Sequence, residues 1–404
     1  MRLEPGHTVA TPDLEQTVGP ILDRRLLRDH AAPLAVAFSG GGDSLALLLA
    51  AATWAAAAGR RLLVLTVDHR LNPASVGWTR DCAAVAARLE APFNALAWEG
   101  RKPAAGLPAA ARAARHALLA DAARAAGART ILMGHTADDI AEARRMRATG
   151  STTPEPREWS PSPAWPQGRG LFLLRPLLGV RRQGIRTWLQ ARGEAWIEDP
   201  ANADLTYARS RARKALSAGA ASDEAPPSIS PDEGAATRAL AAAYQADATT
   251  GDLRVPRQAF RETTGEARRR LVSIACLCAA GTDRPPRRHQ VDDIAARLLT
   301  DARFTASLAG ARIEADLRQV RFRREAGEAA RGGLAPLRLA AGATGVWDGR
   351  FEVRTRQAIE VLVRPGATLP AVSRDDGGFE DLDARPLAYD RLRAACGLID
   401  REPA

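Results

Sequence analysis

Ser39-Gly40-Gly41-Gly42-Asp43-Ser44 is the stretch that decides the fold. It follows the apolar run Leu34-Ala35-Val36-Ala37-Phe38 and precedes Leu45-Ala46-Leu47-Leu48-Leu49-Ala50. That order reads as a buried strand, a glycine-rich turn and a helix. Such a turn gathers several backbone N–H groups at the positive end of a helix, and its natural guest is a phosphate or pyrophosphate. Glycine is required because a Cβ would obstruct the anion and the positive φ angles of the nest.

The same residues exclude two common phosphate loops. A Walker A loop needs a Lys before its last Ser or Thr. The chain has only two lysines, Lys102 and Lys214, and neither is in a glycine-rich turn. The dinucleotide fingerprint fails at Leu45, where a third Gly or Ala belongs. What remains, S-G-G-x-D-S, resembles the PP-loop of the N-type ATP pyrophosphatases. The resemblance implies cleavage of ATP between its α and β phosphates and formation of an adenylate.

Working outward, strand-like runs at Leu34–Phe38, Leu62–Val67, Phe93–Trp98 and Thr130–Met133 alternate with Ala-rich helical stretches near 44–58, 75–90, 108–126 and 137–148. This alternation predicts an α/β fold, a Rossmann-like parallel sheet with both faces covered. Ligand then belongs at the carboxyl ends of the strands. Three clusters fall there: Ser39–Ser44, Asp68-His69 and His135–Asp139. Residues 150–170 read as a loop, Leu171–Leu174 as a short strand and 181–192 as a helix. The expected organisation is an adenylation domain over 1–215, a linker over 216–234, a helical module over 235–302 and a small mixed α/β module over 303–404. Helices are expected near 235–247, 266–280 and 289–300. Short β-like runs follow at Ala311–Ile313, Val320–Arg323, Phe351–Val353 and Ile359–Val363.

The net charge is +10 and almost wholly arginine. Guanidinium groups bind phosphate in two-pronged fashion, which favours a nucleic-acid partner. The stretches Arg268–Arg270 and Arg284–Arg288, with Arg321, Arg323 and Arg324, suggest contacts to a nucleic-acid backbone. Cys82, Cys276, Cys278 and Cys396 form neither a C-x-x-C pair nor a zinc pattern. No segment approaches the apolar length of a membrane span. A reduced, cytoplasmic setting is the expectation.

On a helix starting near Thr136, Asp138 and Glu142 are four apart and share a face. Two carboxylates near a triphosphate suit Mg²⁺ or the positioning of a nucleophile. A plain capped helix, with Thr136 as N-cap and Asp138 and Asp139 in the first turn, accounts for the same residues. Asp68 could meet a ribose or a metal. Glu198-Asp199-Pro200-Ala201-Asn202-Ala203-Asp204 reads as a rigid turn, and Arg209, Arg211, Arg213 and Lys214 after it suggest a grip on phosphate.

Taken together these motifs resemble the tRNA(Ile)-lysidine synthases, well over residues 34–214 and loosely beyond. The shared runs are Ser39–Ser44, Val67-Asp68-His69, Ala111-Arg112 with Arg115, His135 with Asp138, Asp139 and Glu142, Arg175–Leu178, Glu198–Asp204 and Arg209–Arg213. The resemblance implies that Asp43, Asp138 and Glu142 are catalytic. It implies that Ser39, Gly40, Gly41, Gly42, Asp43, Ser44, Asp68 and His135 bind ATP. Arg112, Arg115, Asp199, Asn202, Arg209, Arg211 and Arg213 would bind tRNA or lysine, and Asp43 with Asp138 would hold Mg²⁺. Implied partners are ATP, free L-lysine and an isoleucine tRNA with a CAU anticodon. The reaction would join lysine to carbon 2 of the wobble cytidine through an adenylate, with AMP and pyrophosphate released.

The chain departs from the family pattern at Asn72, Pro108, His116, Ala143 and Ser210, which bears on recognition of tRNA and lysine. Three other readings share parts of this pattern. A tRNA-thiolating PP-loop enzyme would use cysteines near the site. A non-catalytic tRNA-binding protein would not need intact Asp43, Asp138 and Glu142. A small-molecule amide-forming synthetase would not need the basic balance. The oligomeric state stays open, with a homodimer among the options.

Overall fold

The computed structural model describes residues 13–151, 153–200, 204, 206, 208–217, 231–326, 334–356, 361–365, 370–372 and 382–403. The chain divides into two units, Met1–Pro226 with Asp400–Ala404, and Pro227–Ile399.

The first unit opens with α1 (Leu14–Arg25). It continues as β1 (Leu34–Ala37), α2 (Gly42–Ala57), β2 (Leu62–Asp68), α3 (Ser75–Arg88), β3 (Phe93–Ala97), α4 (Leu107–Ala125), β4 (Thr130–Met133) and α5 (Ala137–Ala148). Then come β5 (Trp159–Pro161), β6 (Phe172–Leu174), α6 (Arg182–Ala191) and α7 (Ala208–Ser217). The sheet order is β3-β2-β1-β4-β6-β5. All pairings are parallel except that of edge strand β5. The expected doubly covered parallel sheet is therefore present. Leu34, Val36, Val64 and Leu132 meet one apolar layer of helices, and Ala35, Leu63, Leu65 and Ile131 meet the other. Burial on both faces explains why these strands are continuous apolar runs.

β1 pairs with β2 on one side and β4 on the other, so the strand order reverses there. A crevice opens at such a switch point, outside the carboxyl ends. The glycine-rich loop leaves β1 and the His135 segment leaves β4, so both flank that crevice. Residues 150–170 were expected to be loop throughout, and β5 within them is an addition.

The last residues of the chain belong to this unit. Glu402 accepts from Arg60 Nη1 at 2.8 Å, and both side chains are fully buried. Arg60 also donates to Leu27 O and Ala32 O, and Glu402 N donates to Arg25 O at 2.8 Å.

The second unit contains α8 (Pro231–Ala242), β7 (Gln245–Ala246), β8 (Leu253–Pro256), α9 (Arg257–Glu262), α10 (Gly265–Ala280) and α11 (Arg288–Thr300). After them come β9 (Phe304–Leu308), β10 (Ala311–Ala315) and β11 (Gln319–Arg324). These strands form an antiparallel sheet in the order β7-β8-β11-β10-β9. Strands from both sides of residue 303 share it, so a single core replaces the boundary expected there. A smaller core around Trp347, Phe351, Val353 and Val363 lies among β12 (Leu337–Leu339), β13 (Thr344–Trp347), β14 (Phe351–Thr355), β15 (Val361–Pro365), β16 (Pro370–Val372) and β17 (Leu382–Pro386). The final helix is α12 (Ala388–Ala395). Ile359 lies outside the described residues, and its expected strand is described from Val361 on.

Candidate active site

The glycine-rich loop is held from three sides. Gly40 has φ +80°, and Ile197 N donates to Gly40 O at 2.9 Å. A Cβ on Gly40 would lie 2.3 Å from Ile197 Cδ1. Ser44 Oγ accepts from Ser39 N at 3.2 Å and donates to Gly41 O at 2.9 Å, which closes the turn on itself. Gly134 backs the loop, since a Cβ there would stand 2.9 Å from Asp43 O. Free N–H groups at the start of α2 remain for an anion.

A cavity of 790 Å³ opens beside the loop. Its walls include Ser39, Asp68, His69, Arg112, Arg115 and His135. Asp139, Asp199, Arg209 and Arg213 are also on its walls. Of the expected ATP-binding set, Ser39, Asp68 and His135 therefore face one space. Gly40, Gly41, Gly42, Asp43 and Ser44 are not among the lining residues.

Behind this space the acidic side chains form one cluster about a residue that no motif singled out, Arg182. Its Nε donates to Asp43 Oδ2 at 3.0 Å and its Nη1 to Glu142 Oε1 at 3.3 Å, while its Nη2 stands 3.6 Å from Asp139 Oδ1. Its backbone N donates to Asp138 Oδ2 at 2.7 Å. Arg209 Nε and Arg213 Nε bind the two oxygens of Glu142 at 2.7 and 2.8 Å, and Arg209 also reaches Asp139. Arg209 and Arg213 are four apart on α7 and so share a face. These two arginines are committed to carboxylates, where the sequence suggested a phosphate grip. Arg211 points elsewhere and binds Thr206 O at 2.7 Å.

Helix α5 begins with the expected Thr136 cap. Thr136 N donates to Asp139 Oδ2 at 2.6 Å, so Asp139 closes a capping box. Asp139, rather than Asp138 or Glu142, is the α5 carboxylate on the cavity wall. Glu142 is 1 % exposed. Burial pushes its carboxyl up, but hydrogen bonds from Arg213 and Arg209 more than offset this and hold it below the ordinary range. Burial raises Asp43, against the opposing pull of Arg182.

His135 Nδ1 accepts from Arg175 Nε at 3.1 Å. That bond leaves the proton on Nε2, so His135 offers a donor from its other nitrogen. Burial, then the charges of Arg175 and Arg115, keep His135 neutral well below its usual pKa. Burial and the same arginines take His116 down to about 2.

Asp43 and Asp138 each use one carboxylate oxygen in the bonds above and keep the other. Two hard oxygens completed by phosphate oxygens and water match the way Mg²⁺ is held, so these residues fit the ion. Among the described residues, no group of three or more His, Cys, Asp or Glu side chains converges on a metal position. Asn202 lies outside the described residues. All four cysteines are buried, and burial raises the Cys82 thiol to about 11. In the second unit, Arg268 binds Phe260 O and Thr263 O, and Arg321 and Arg324 bind Asp252 and Asp348. Arg284, Arg287 and Arg288 remain exposed. No helix among the described residues is long and apolar enough to cross a membrane.

Residues 12–219 match the family model described as the PP-loop domain. The chain is 46% identical to a tRNA(Ile)-lysidine synthase from Caulobacter vibrioides, over 94% of this chain and 97% of that one. It is 34% identical to one from Hyphomonas neptunium, over 78% and 86%. A third, from Ruegeria pomeroyi, is 33% identical over 80% of this chain and 76% of its own.

Proposed function

The chain belongs to the tRNA(Ile)-lysidine synthases, and on that premise we propose that it joins lysine to carbon 2 of the wobble cytidine of a CAU-anticodon isoleucine tRNA. The observation that carries the reading is the glycine-rich loop at the switch point of the sheet, opening beside a cavity with room for a nucleotide and a second substrate. ATP first adenylates the oxygen on carbon 2, and pyrophosphate departs. Backbone N–H groups at the start of α2 stabilise the charge that develops on it. His135 Nε2–H supplies a further donor from the cavity wall. Asp43 and Asp138 would hold Mg²⁺, which neutralises phosphate charge when bound. Asp68, at the end of β2 on the cavity wall, would meet the ribose. The amine of free lysine then attacks carbon 2, and AMP leaves. Positioning dominates this step, and Asp199 and Asp139, which line the cavity together with Asp68, are the carboxylates that would meet an ammonium.

The buried, raised thiols speak against the thiolating alternative, which needs a reactive sulfur. The test supplies ATP, Mg²⁺, labelled lysine and the CAU-anticodon tRNA. Label is expected in tRNA only with ATP present, and a folded variant lacking all four cysteines should retain the activity. Sulfur in the product, or no label with wild-type protein, would overturn the reading. Asp43→Asn is expected to lower ATP-dependent pyrophosphate release by at least about 100-fold in a folded protein.

A further inference from the structure

Most arginines about the cavity have protein partners. Arg182, Arg209 and Arg213 are held by carboxylates. Arg175 is held by His135, Arg157 O and Ser160 Oγ. Arg112 and Arg115 differ. They stand three apart on one face of α4, and both line the cavity. Among the described residues neither makes an ion pair or a hydrogen bond, and Arg115 Nε is buried without a partner. Asp139 is the carboxylate whose field reaches them, and it is already engaged by Thr136 N–H and by Arg209. Two half-buried guanidinium groups without a bonded counter-charge are costly, and an anionic ligand lowers that cost. Burial, with Arg112 and Arg209 nearby, lowers Arg115 to about 10, so it keeps its charge at neutral pH.

We propose that Arg112 and Arg115 form a second anion site, distinct from the glycine-rich loop, that receives the phosphate of AMP as it departs in the lysine-transfer step. The inference rests on the reading above. The reaction has two leaving groups. Pyrophosphate leaves first and belongs to the loop. In the second step the lysine nitrogen bonds to carbon 2 while the bond from carbon 2 to the bridging oxygen breaks. The electron pair stays on that oxygen, and the proton given up by the nitrogen passes to water. The phosphate thereby changes from a diester with one negative charge to a monoester with nearly two above pH 6. Guanidinium groups meet such oxygens with paired donors. Charge that grows only during the step is where fixed donors lower a barrier.

The test uses the intact protein with Arg112→Gln and, to keep the buried charge and the fold, Arg115→Lys. Equilibrium binding of AMP, adenosine and pyrophosphate is measured for each. AMP is expected to weaken by about 10-fold, with adenosine and pyrophosphate within about 2-fold. In single turnover, lysine incorporation should fall by about 100-fold, at least about 10-fold more than pyrophosphate release, so adenylated tRNA accumulates. Equal losses in both steps, or unchanged AMP binding, would overturn the proposal. Unchanged AMP binding with weaker tRNA binding and a shallower salt dependence would instead assign these arginines to the tRNA backbone. A wild-type protein that releases pyrophosphate but adds no lysine would defeat the proposed activity, and the comparison of AMP with adenosine would still decide this site.

Discussion

Glu142 ties three arginines from two helices to one carboxylate, and nearly all of it is out of water. Removing its charge leaves Arg182, Arg209 and Arg213 short of a partner, so Glu142→Gln should destabilise the first unit by about 3–5 kcal/mol. The folded pKa lies below the ordinary 4.5. Its contribution is therefore complete above that value and disappears as pH falls through the folded pKa. Denaturant titrations at pH 7 and pH 4 check this, since the gap between wild type and Glu142→Gln should narrow at pH 4. Asp43 carries the opposite sign. Its folded pKa is raised, so its ionisation subtracts stability as pH rises through that value. Local spacing singled out Glu142 and Asp43, which the structure brings together on Arg182, but Arg182 itself was not legible. Its partners lie 139 and 40 residues away, and no periodicity links them. The role of Asp139 was half legible, because a cap can be read from Thr-x-x-Asp and a cavity wall cannot.

Gly134, between β4 and α5, shows how elements constrain one another. A Cβ there would meet the Asp43 carbonyl at 2.9 Å and Ser44 Cα at 3.0 Å, and backbone cannot step aside as a side chain can. Gly134→Ala should push the start of α2 from its place. The expected outcome is a large fall in pyrophosphate release with the fold intact by circular dichroism. Full activity would show that the loop tolerates displacement. The alternation of strand and helix was plain in the sequence because parallel strands covered on both faces are uninterrupted apolar runs. Strand β5 was hidden, since Trp159-Ser160-Pro161 lies among prolines and carries one antiparallel pairing at an edge. Helix α7 puts Arg209 and Arg213 on one side and Arg211 on another.

At the scale of the molecule, the expected nucleic-acid contacts of the second unit are tested on three exposed arginines, Arg284, Arg287 and Arg288, the last of which stands 3.9 Å from Asp292. Replacing Arg284, Arg287 and Arg288 by Ala should weaken tRNA binding and make its salt dependence shallower by up to about 0.9 per lost phosphate contact. An unchanged slope would identify them as ordinary surface charge. The module boundary at 303 failed because the strands that start at Leu253 and Gln319 pair across three helices and two strands, a register no local pattern reveals. The reach of the last residues back to Arg60 was invisible for the same reason, 342 positions apart. Removing residues 400–404 would leave a buried guanidinium uncompensated, and a loss of about 3–5 kcal/mol in the first unit is expected by thermal or urea unfolding. This bond also sets an order of events during synthesis. Arg60 emerges from the ribosome early, and its counter-charge is made 342 residues later. The adenylating half therefore reaches full stability only once Glu402 has been made. A message cut short at any codon before Glu402 yields a chain whose nucleotide-binding unit carries an unmet charge and is exposed to proteolysis.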